Sequence, residues 1–389
     1  MIQLAEKEKC TGCLACAVAC PRNAILTKQD VLGGVYPAID SSKCIECGKC
    51  QKVCPELHLV SAIKSEKAYA VWSLDSEDRK TSASGGAASV CYQSALGQGY
   101  WICGAEYLPD GRVVHTLSNE RVAISRYKQS KYVFSETGEV YHEIKTHLDV
   151  GEKVIMISLP CKIAGLLRYL QKPYENLTTI DIVCHGTPSM QLLKNHIQSV
   201  APDTEEYQLK FRQDNEFQFR LECNGKIKYR RIGRTDTYLA AFLEGLSYRD
   251  SCYQCRYANS QRISDITICD YWGLGAEIPF EHPYTGAISA VLINTKRGQS
   301  FFDSCKNLLF IEERPVWEAV KGNAQLNEPT PRPENRDKFI ELYQQKGFED
   351  AVRTLLRPQM KAEQKRVRYE HLWRSARKLA GVFIKRYRG

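Results

Sequence analysis

Eight cysteines in two runs constrain this chain more than any other feature. Cys10, Cys13, Cys16 and Cys20 recur as Cys44, Cys47, Cys50 and Cys54, an offset of 34 residues, and each run ends in Cys-Pro. Both match C-x2-C-x2-C-x3-C-P, in which three close cysteines hold one 4Fe-4S cluster and the fourth reaches across to the other. One cluster is therefore expected on Cys10, Cys13, Cys16 and Cys54, and a second on Cys44, Cys47, Cys50 and Cys20. The close spacing lets a loop wrap a cubane with backbone N–H groups turned to sulfur, and proline ends the loop without a competing donor. Zinc also takes C-x2-C pairs. A zinc site would need only four of each set of ligands across a longer loop, leaving the third cysteine and the prolines unexplained.

Length leaves room for more than this module. With 389 residues, 43% apolar and 25% charged, the chain is globular and of a size for two or three domains. Seventeen cysteines in a chain of this size suit thiolate ligation or redox chemistry better than disulfides. No apolar run approaches the roughly 18 residues that span a bilayer, and MIQLAEKEKC lacks a signal-peptide pattern, so a cytoplasmic location is expected. Residues 357–389 hold eleven Lys or Arg against Glu363 and Glu370, which accounts for the whole net charge of +9. A neutral body with a basic appendage does not read as a nucleic-acid-binding surface.

The expected organisation is a two-cluster ferredoxin domain at 1–60, a larger reductase domain at 61–350 and a basic helical tail at 351–389. From residue 68 the pattern alternates strands and helices: AYAVW (68–72), KVIMIS (153–158) and LTTIDIV (177–183) suit buried strands, each with a helical segment downstream. The stretch 207–231 alternates and reads as antiparallel, and ITICDYW (266–272) and AISAVLINT (287–295) supply further strands. The fold class is thus α+β, a ferredoxin-like module followed by a mixed α/β domain with an antiparallel portion.

Among the other cysteines, Cys252 and Cys255 form the one remaining C-x2-C pair. Cys161 and Cys184 each follow a strand, at the carboxyl ends where open α/β sheets build sites, so a third 4Fe-4S cluster is expected on these four. Cys91, Cys103, Cys269 and Cys305 sit in apolar patterns and read as buried thiols. TSASGGAAS (81–89) precedes a helix, and its small residues suit either an ordinary turn or a phosphate held near Ser84, Gly85 and Gly86, as the pyrophosphate of FAD would be. Lys131 and Tyr132 would supply a charge and a stacking ring there, or an ordinary surface. His185 is a candidate proton donor to reduced flavin or substrate, the alternative being a hydrogen bond that supports the cluster.

Taken in order, SASGG, GYWICGAEY, QSKYVF, KVIMISLPCKIAGLLRYL, TTIDIVCHGTPS and SCYQCRYANSQRISDITICDYWG resemble the coenzyme F-420 hydrogenase/dehydrogenase beta-subunit family over about residues 68–340. The resemblance implies a flavin-binding domain with its own 4Fe-4S cluster, commonly preceded by a two-cluster ferredoxin. It also implies electron passage between the clusters, FAD and a partner, either deazaflavin coenzyme F-420 or an organic substrate. The family includes hydrogenase and dehydrogenase subunits, tetrapyrrole reductases and bacterial proteins associated with polysaccharide synthesis, and the short motifs look most like the last group. LPCK replaces the more usual TPCQ, and ICDYW has cysteine where glycine is usual. Lys162 would therefore bring a positive charge beside the cluster or flavin, raising its potential or altering what substrate is held, and is a catalytic candidate with His185.

An iron-sulfur flavoenzyme is the leading reading, with a non-catalytic electron-transfer subunit serving a partner reductase as the alternative. A redox partner protein or ferredoxin is expected in either case. In the tail, Leu372, Ala376, Leu379 and Phe383 recur at helical spacing among Arg374, Arg377, Lys378, Lys385 and Arg386. This suits a helix lying on anionic lipid at the inner face of a membrane, or a helix packed on its own domain.

Overall fold

The computed structural model describes residues 2–202, 207–213 and 216–386, with side chains through Glu370 and at Leu372. The N-terminal module has one antiparallel hairpin, β1 (Ile25–Gln29) and β2 (Val35–Ile39), and two four-residue helices, Ala15–Val18 and Lys49–Lys52, that follow the cysteine loops. A short strand β3 (Ile63–Lys64) leads into the body.

The body is built on an eight-stranded sheet. Its strands are β4 (Lys67–Ser73), β5 (Tyr100–Tyr107), β6 (Val113–Ser118), β7 (Lys153–Ser158) and β8 (Leu177–Ile182), then β13 (Ile266–Asp270), β14 (Ser289–Ile293) and β15 (Leu309–Arg314). Between them come an antiparallel three-stranded sheet, β9 (Gln208–Gln213), β10 (Glu216–Cys223) and β11 (Lys226–Ile232), and a short strand β12 (Gln261–Arg262) paired with β3. The large sheet runs β15-β4-β14-β13-β8-β7-β5-β6, with β13, β8, β7 and β5 mutually parallel. Strand β4 lies between two antiparallel neighbours, β14 and β15, which restores it to the direction of β13. The carboxyl ends of five strands therefore open onto one edge, where a site is built.

The strands expected from residues 68, 153, 177, 207, 266 and 287 are all present, whereas β5, β6 and β15 add three that the apolar pattern does not single out. Alternation assigns each face of the sheet its core. In β7, Ile155 and Ile157 face a cluster with the helix Ala87–Gly97, while Val154 and Met156 face a second cluster with the helices Val140–Asp149 and Pro160–Leu170. That second cluster also contains Ala15, Cys16 and Val53 of the N-terminal module, so module and body share one apolar core.

The carboxyl-terminal segment Arg336–Arg386 is helical with breaks at Gly347 and Leu356. Pro358 falls in the first turn after the second break, where its missing N–H costs no hydrogen bond. The stretch expected to begin a tail at residue 351 is instead packed: Ala351, Val352, Leu356 and Met360 are buried in the cluster around Phe211 and Phe219. Leu372 is exposed, and the other tail side chains named above lie outside the described residues. Among the described residues no helix is long and apolar enough to cross a membrane.

Candidate redox site

The two cysteine runs adopt the same backbone. Gly12 and Leu14 of the first have φ of +65° and +58°, and their counterparts Glu46 and Gly48 have +52° and +71°. Left-handed residues at alternate positions turn successive N–H groups inward, the geometry of an anion nest. Amide donors reach the sulfurs. Ala24 N–H donates to Cys20 Sγ at 3.2 Å, and the amides of Ala15, Gln51 and Glu56 donate to Cys13, Cys50 and Cys54. Burial first, then the neighbouring thiols Cys13, Cys10, Cys54 and Cys50, push the Cys16 thiol upward, while Cys50 feels Cys20 and Cys44. The fourth cysteine of each run thus lies near thiols of the other run. Burial raises Cys13 to about 11.

A third group of thiols gathers in the body. Cys161 lies in the first turn of the helix Pro160–Leu170 after β7, Cys184 in the loop after β8, and Cys252 and Cys255 in and just after the turn Asp250–Gln254. Burial dominates the upward shift of Cys184, with Cys252, Cys161 and Cys255 acting next. Gly186 donates its amide to Cys184, Thr187 to Cys252, and Tyr257 to Cys255. Among the described residues no three His, Cys, Asp or Glu side chains are gathered so as to hold a single metal ion. Four thiols with inward amides are the donor chemistry of an iron-sulfur cluster, whose body separates its ligands.

Beside this group lies a cavity of about 290 Å³ at the carboxyl edge of the sheet. Its wall includes Ser84, Gly86, Lys131, Tyr132, Cys184 and His185. One end is the start of the helix Ala87–Gly97, whose N-cap Gly86 has φ +92° and no side-chain cap, leaving first-turn amides to the cavity. Gly85 is required for packing, since a Cβ there would meet the Val71 carbonyl oxygen at 2.5 Å, and its amide donates to Ser289 Oγ at 2.9 Å. The loop is braced by Asp78, which accepts from Ser89 Oγ at 2.5 Å and pairs with Lys128 at 2.7 Å.

Lys131 donates to the Lys128 carbonyl at 2.8 Å, and burial draws its ammonium down to about 7 against the pull of Glu106. Tyr132 is already stacked, with its ring centroid 4.6 Å from that of Phe242 and 5.7 Å from that of Phe217. It therefore contributes a ring edge and hydroxyl more than a free stacking face. Burial lowers His185, with Asp270 opposing. Lys162 is absent from the cavity wall and instead donates to the Gly12 carbonyl at 2.8 Å.

Two wall residues, Arg212 and His115, have no mark in the sequence pattern. Arg212, only 4% exposed, donates to Asp270 at 2.8 Å, and its Nε has no hydrogen-bond partner among the described residues. His115 accepts from Ser158 Oγ at 2.7 Å while its other ring nitrogen donates to the Glu136 carbonyl, and burial holds the imidazole neutral, down at about 3. Asp270 had a weak sequence signal as an acid at a strand end. Cys91, Cys103 and Cys305 are buried in the core as expected, and Cys269 is half-buried in the cavity wall.

Two nested cysteine runs, a third thiol group and an adjoining cavity define an iron-sulfur electron-transfer protein of oxidoreductase type. Residues 151–318 match the family described as the C-terminal part of the coenzyme F420 hydrogenase/dehydrogenase beta subunit, and residues 9–57 match the 4Fe-4S dicluster domain. The chain thus joins a 4Fe-4S dicluster domain to a C-terminal domain of the coenzyme F420 hydrogenase/dehydrogenase beta-subunit family. It is 36% identical over 56 residues to the pyruvate synthase subunit PorD of Thermotoga maritima, a match over 14% of this chain and 52% of PorD. The chain therefore spans about half the length of that relative. A chain of the F420-reducing NiFe hydrogenase complex from Methanosarcina barkeri superposes with a TM-score of 0.45 at 16% identity, over 76% of this chain and 92% of that one.

Proposed function

We propose that this chain is an iron-sulfur flavoenzyme that carries electrons between its N-terminal module and a cavity-bound FAD, for reduction or oxidation of a small organic substrate or a deazaflavin. The observation that carries this reading is the double position of Cys184, a member of the third thiol group and part of the cavity wall. Cys161 feels Cys13 as well as Cys252 and Cys255, so the third group also adjoins the first run. The chain's own order is then second run, first run, third group and cavity, from the exposed Cys47 inward.

In this reading Ser84, Gly86 and the following amides receive the pyrophosphate, and Lys131 adds positive charge to the same wall. A flavin held there would convert single electrons into a two-electron transfer. His185 holds or delivers a proton at the cavity wall, and Arg212 with Asp270 fixes the polar end against Phe217. Lys162 acts through its charge on the thiol groups. A lined cavity that gathers Tyr132, Phe217 and Phe242 with His185 and Arg212 favours a catalytic role over a purely electron-transferring one, because a relay subunit has no need of one. A link to polysaccharide synthesis and a resting place for the tail on anionic lipid belong to this proposal as context.

Anaerobically purified protein should release FAD on denaturation, and dithionite-reduced protein should turn over a deazaflavin or another small acceptor. Flavin-free protein that still accepts electrons and passes them only to a partner reductase would replace this reading with the electron-transfer subunit.

A further inference from the structure

We propose that Lys162 and Arg249 form a buried cationic joint between the first cysteine set and the third, fixing the two relative to each other and raising the reduction potential of the groups they hold. The inference rests on the reading that these sets carry iron-sulfur clusters.

Three carbonyls of the first loop are each taken by a side chain from the body. Lys162 Nζ donates to Gly12 O at 2.8 Å, Arg249 Nε to Cys10 O at 2.9 Å, and Thr137 Oγ1 to Cys13 O at 2.9 Å. Arg249 also donates to the Val35 carbonyl at 2.6 Å and lies 3.9 Å from the Tyr36 ring centroid, while Lys162 lies 4.1 Å from that of Phe134. Each cation is tied equally closely to the third set. Lys162 follows Cys161 directly, and the Arg249 carbonyl accepts from Cys252 N–H at 2.9 Å. Arg249 therefore bonds the backbone of a ligand residue in each set, while Lys162 adjoins a ligand of the third and bonds Gly12, next to a ligand of the first.

The charges themselves are unspent. Lys162 is 1% exposed and Arg249 7% exposed, yet among the described residues neither has a carboxylate within ion-pair distance. A buried cation without a counter-charge is costly, and an arginine usually brings its carboxylate with it. The nearby groups that become anions on binding a cluster are these thiols: Lys162 acts on both Cys161 and Cys13, and Arg249 on Cys252. Reduction adds negative charge to a cluster, so a fixed buried cation stabilises the reduced form and raises the potential. The outer set has no such device. The basic residues next to its ligands, Arg22, Lys43, Lys49 and Lys52, are exposed, and water and salt screen them.

The test is a potentiometric titration of the full-length, anaerobically purified protein followed by electron paramagnetic resonance, with iron measured for each variant. Lys162→Gln keeps an amide donor and removes the charge. It should shift the two inner midpoints to lower potential and leave the outer one in place. Arg249→Gln should act in the same direction, and Arg249→Lys should stay near wild type. Inner midpoints unmoved in Lys162→Gln at wild-type iron content would overturn the joint, as would an equal shift of all three. If Arg249→Gln sheds iron, Lys162→Gln decides alone. Wild-type protein holding no iron on the third set would instead overturn the functional reading from which the joint follows.

Discussion

The N-terminal module and the body reach order by different routes. The module has two single-turn helices and one hairpin, and its shape follows from left-handed residues repeated at fixed places between cysteines. The body is held by an eight-stranded sheet with a core on each face. A module of this size buries too little by itself, and ligated metal supplies what the core lacks. The body's sheet carries its own core. The lesson is that cofactor loss should dismantle one region and spare the other, even though Ala15 and Val53 join them through a common core.

Cys54→Ser should break that comparison most sharply. Although Cys54 belongs to the second run, its loss should remove the cluster of the first, so iron in the module falls by about half, from roughly eight to roughly four per chain. Limited proteolysis should then cut within the first sixty or so residues while the body's circular dichroism persists. Iron unchanged from wild type would show that Cys54 holds no cluster.

The converse variant lies in the body. His196 is fully buried between Asp236, 3.0 Å from Nε2, and Glu349, 2.6 Å from Nδ1, and it fastens the helix Met190–Val200 to the carboxyl-terminal segment. Burial alone would lower this imidazole, but the two carboxylates outweigh it and raise the pKa to about 9. Removing one partner from such a group costs about 3–5 kcal/mol. His196→Ala should lower the urea midpoint of the body accordingly, with iron per folded chain retained. Because the folded pKa is raised, this stabilisation is complete below the ordinary histidine range near 6.5 and is lost as pH rises through about 9. Urea midpoints measured from pH 6 to 10 should fall over that window in wild type and flatten in the variant.

The same contrast explains what was legible in the sequence. The eight module cysteines announce themselves because their ligand geometry is local, set by spacings of two and three residues. Cys161 and Cys184 were legible one step further out, as residues at the ends of recognisable strands. The cavity was only partly so. Its wall draws on Ser84 after β4, His115 on β6, His185 after β8 and Arg212 on β9 of the second sheet, which only the tertiary fold brings together. Nothing marks Arg212 within an alternating strand, and a lone buried histidine such as His115 carries no signal. Lys162 was legible as a charge near a cofactor, but which cofactor depended on the side chain turning toward Gly12, away from the cavity. The helical pattern near residue 351 looked like a tail because its charges dominate, while Ala351, Val352 and Leu356 form the buried stripe.

A smaller effect tests the end of the cavity proposed to receive phosphate. Gly86 has φ +92°, and a Cβ there would sit 3.0 Å from Ser73 Cβ and 3.2 Å from Asp78 Oδ2. Gly86→Ala should cost about 1–2 kcal/mol in the bound loop conformation and weaken FAD retention by roughly tenfold. Fluorescence titration of flavin-stripped protein reads this directly, and cluster content should not change.

The central claim, that a third cluster joins the module to the cavity, is tested most directly by counting iron in Cys184→Ala. Wild-type protein should hold about twelve irons per chain and the variant about eight, with the two ferredoxin-type resonance signals intact and reduction from the module to the cavity abolished. Equal iron in the two proteins, or a wild type that holds only the module's share, would contradict the account.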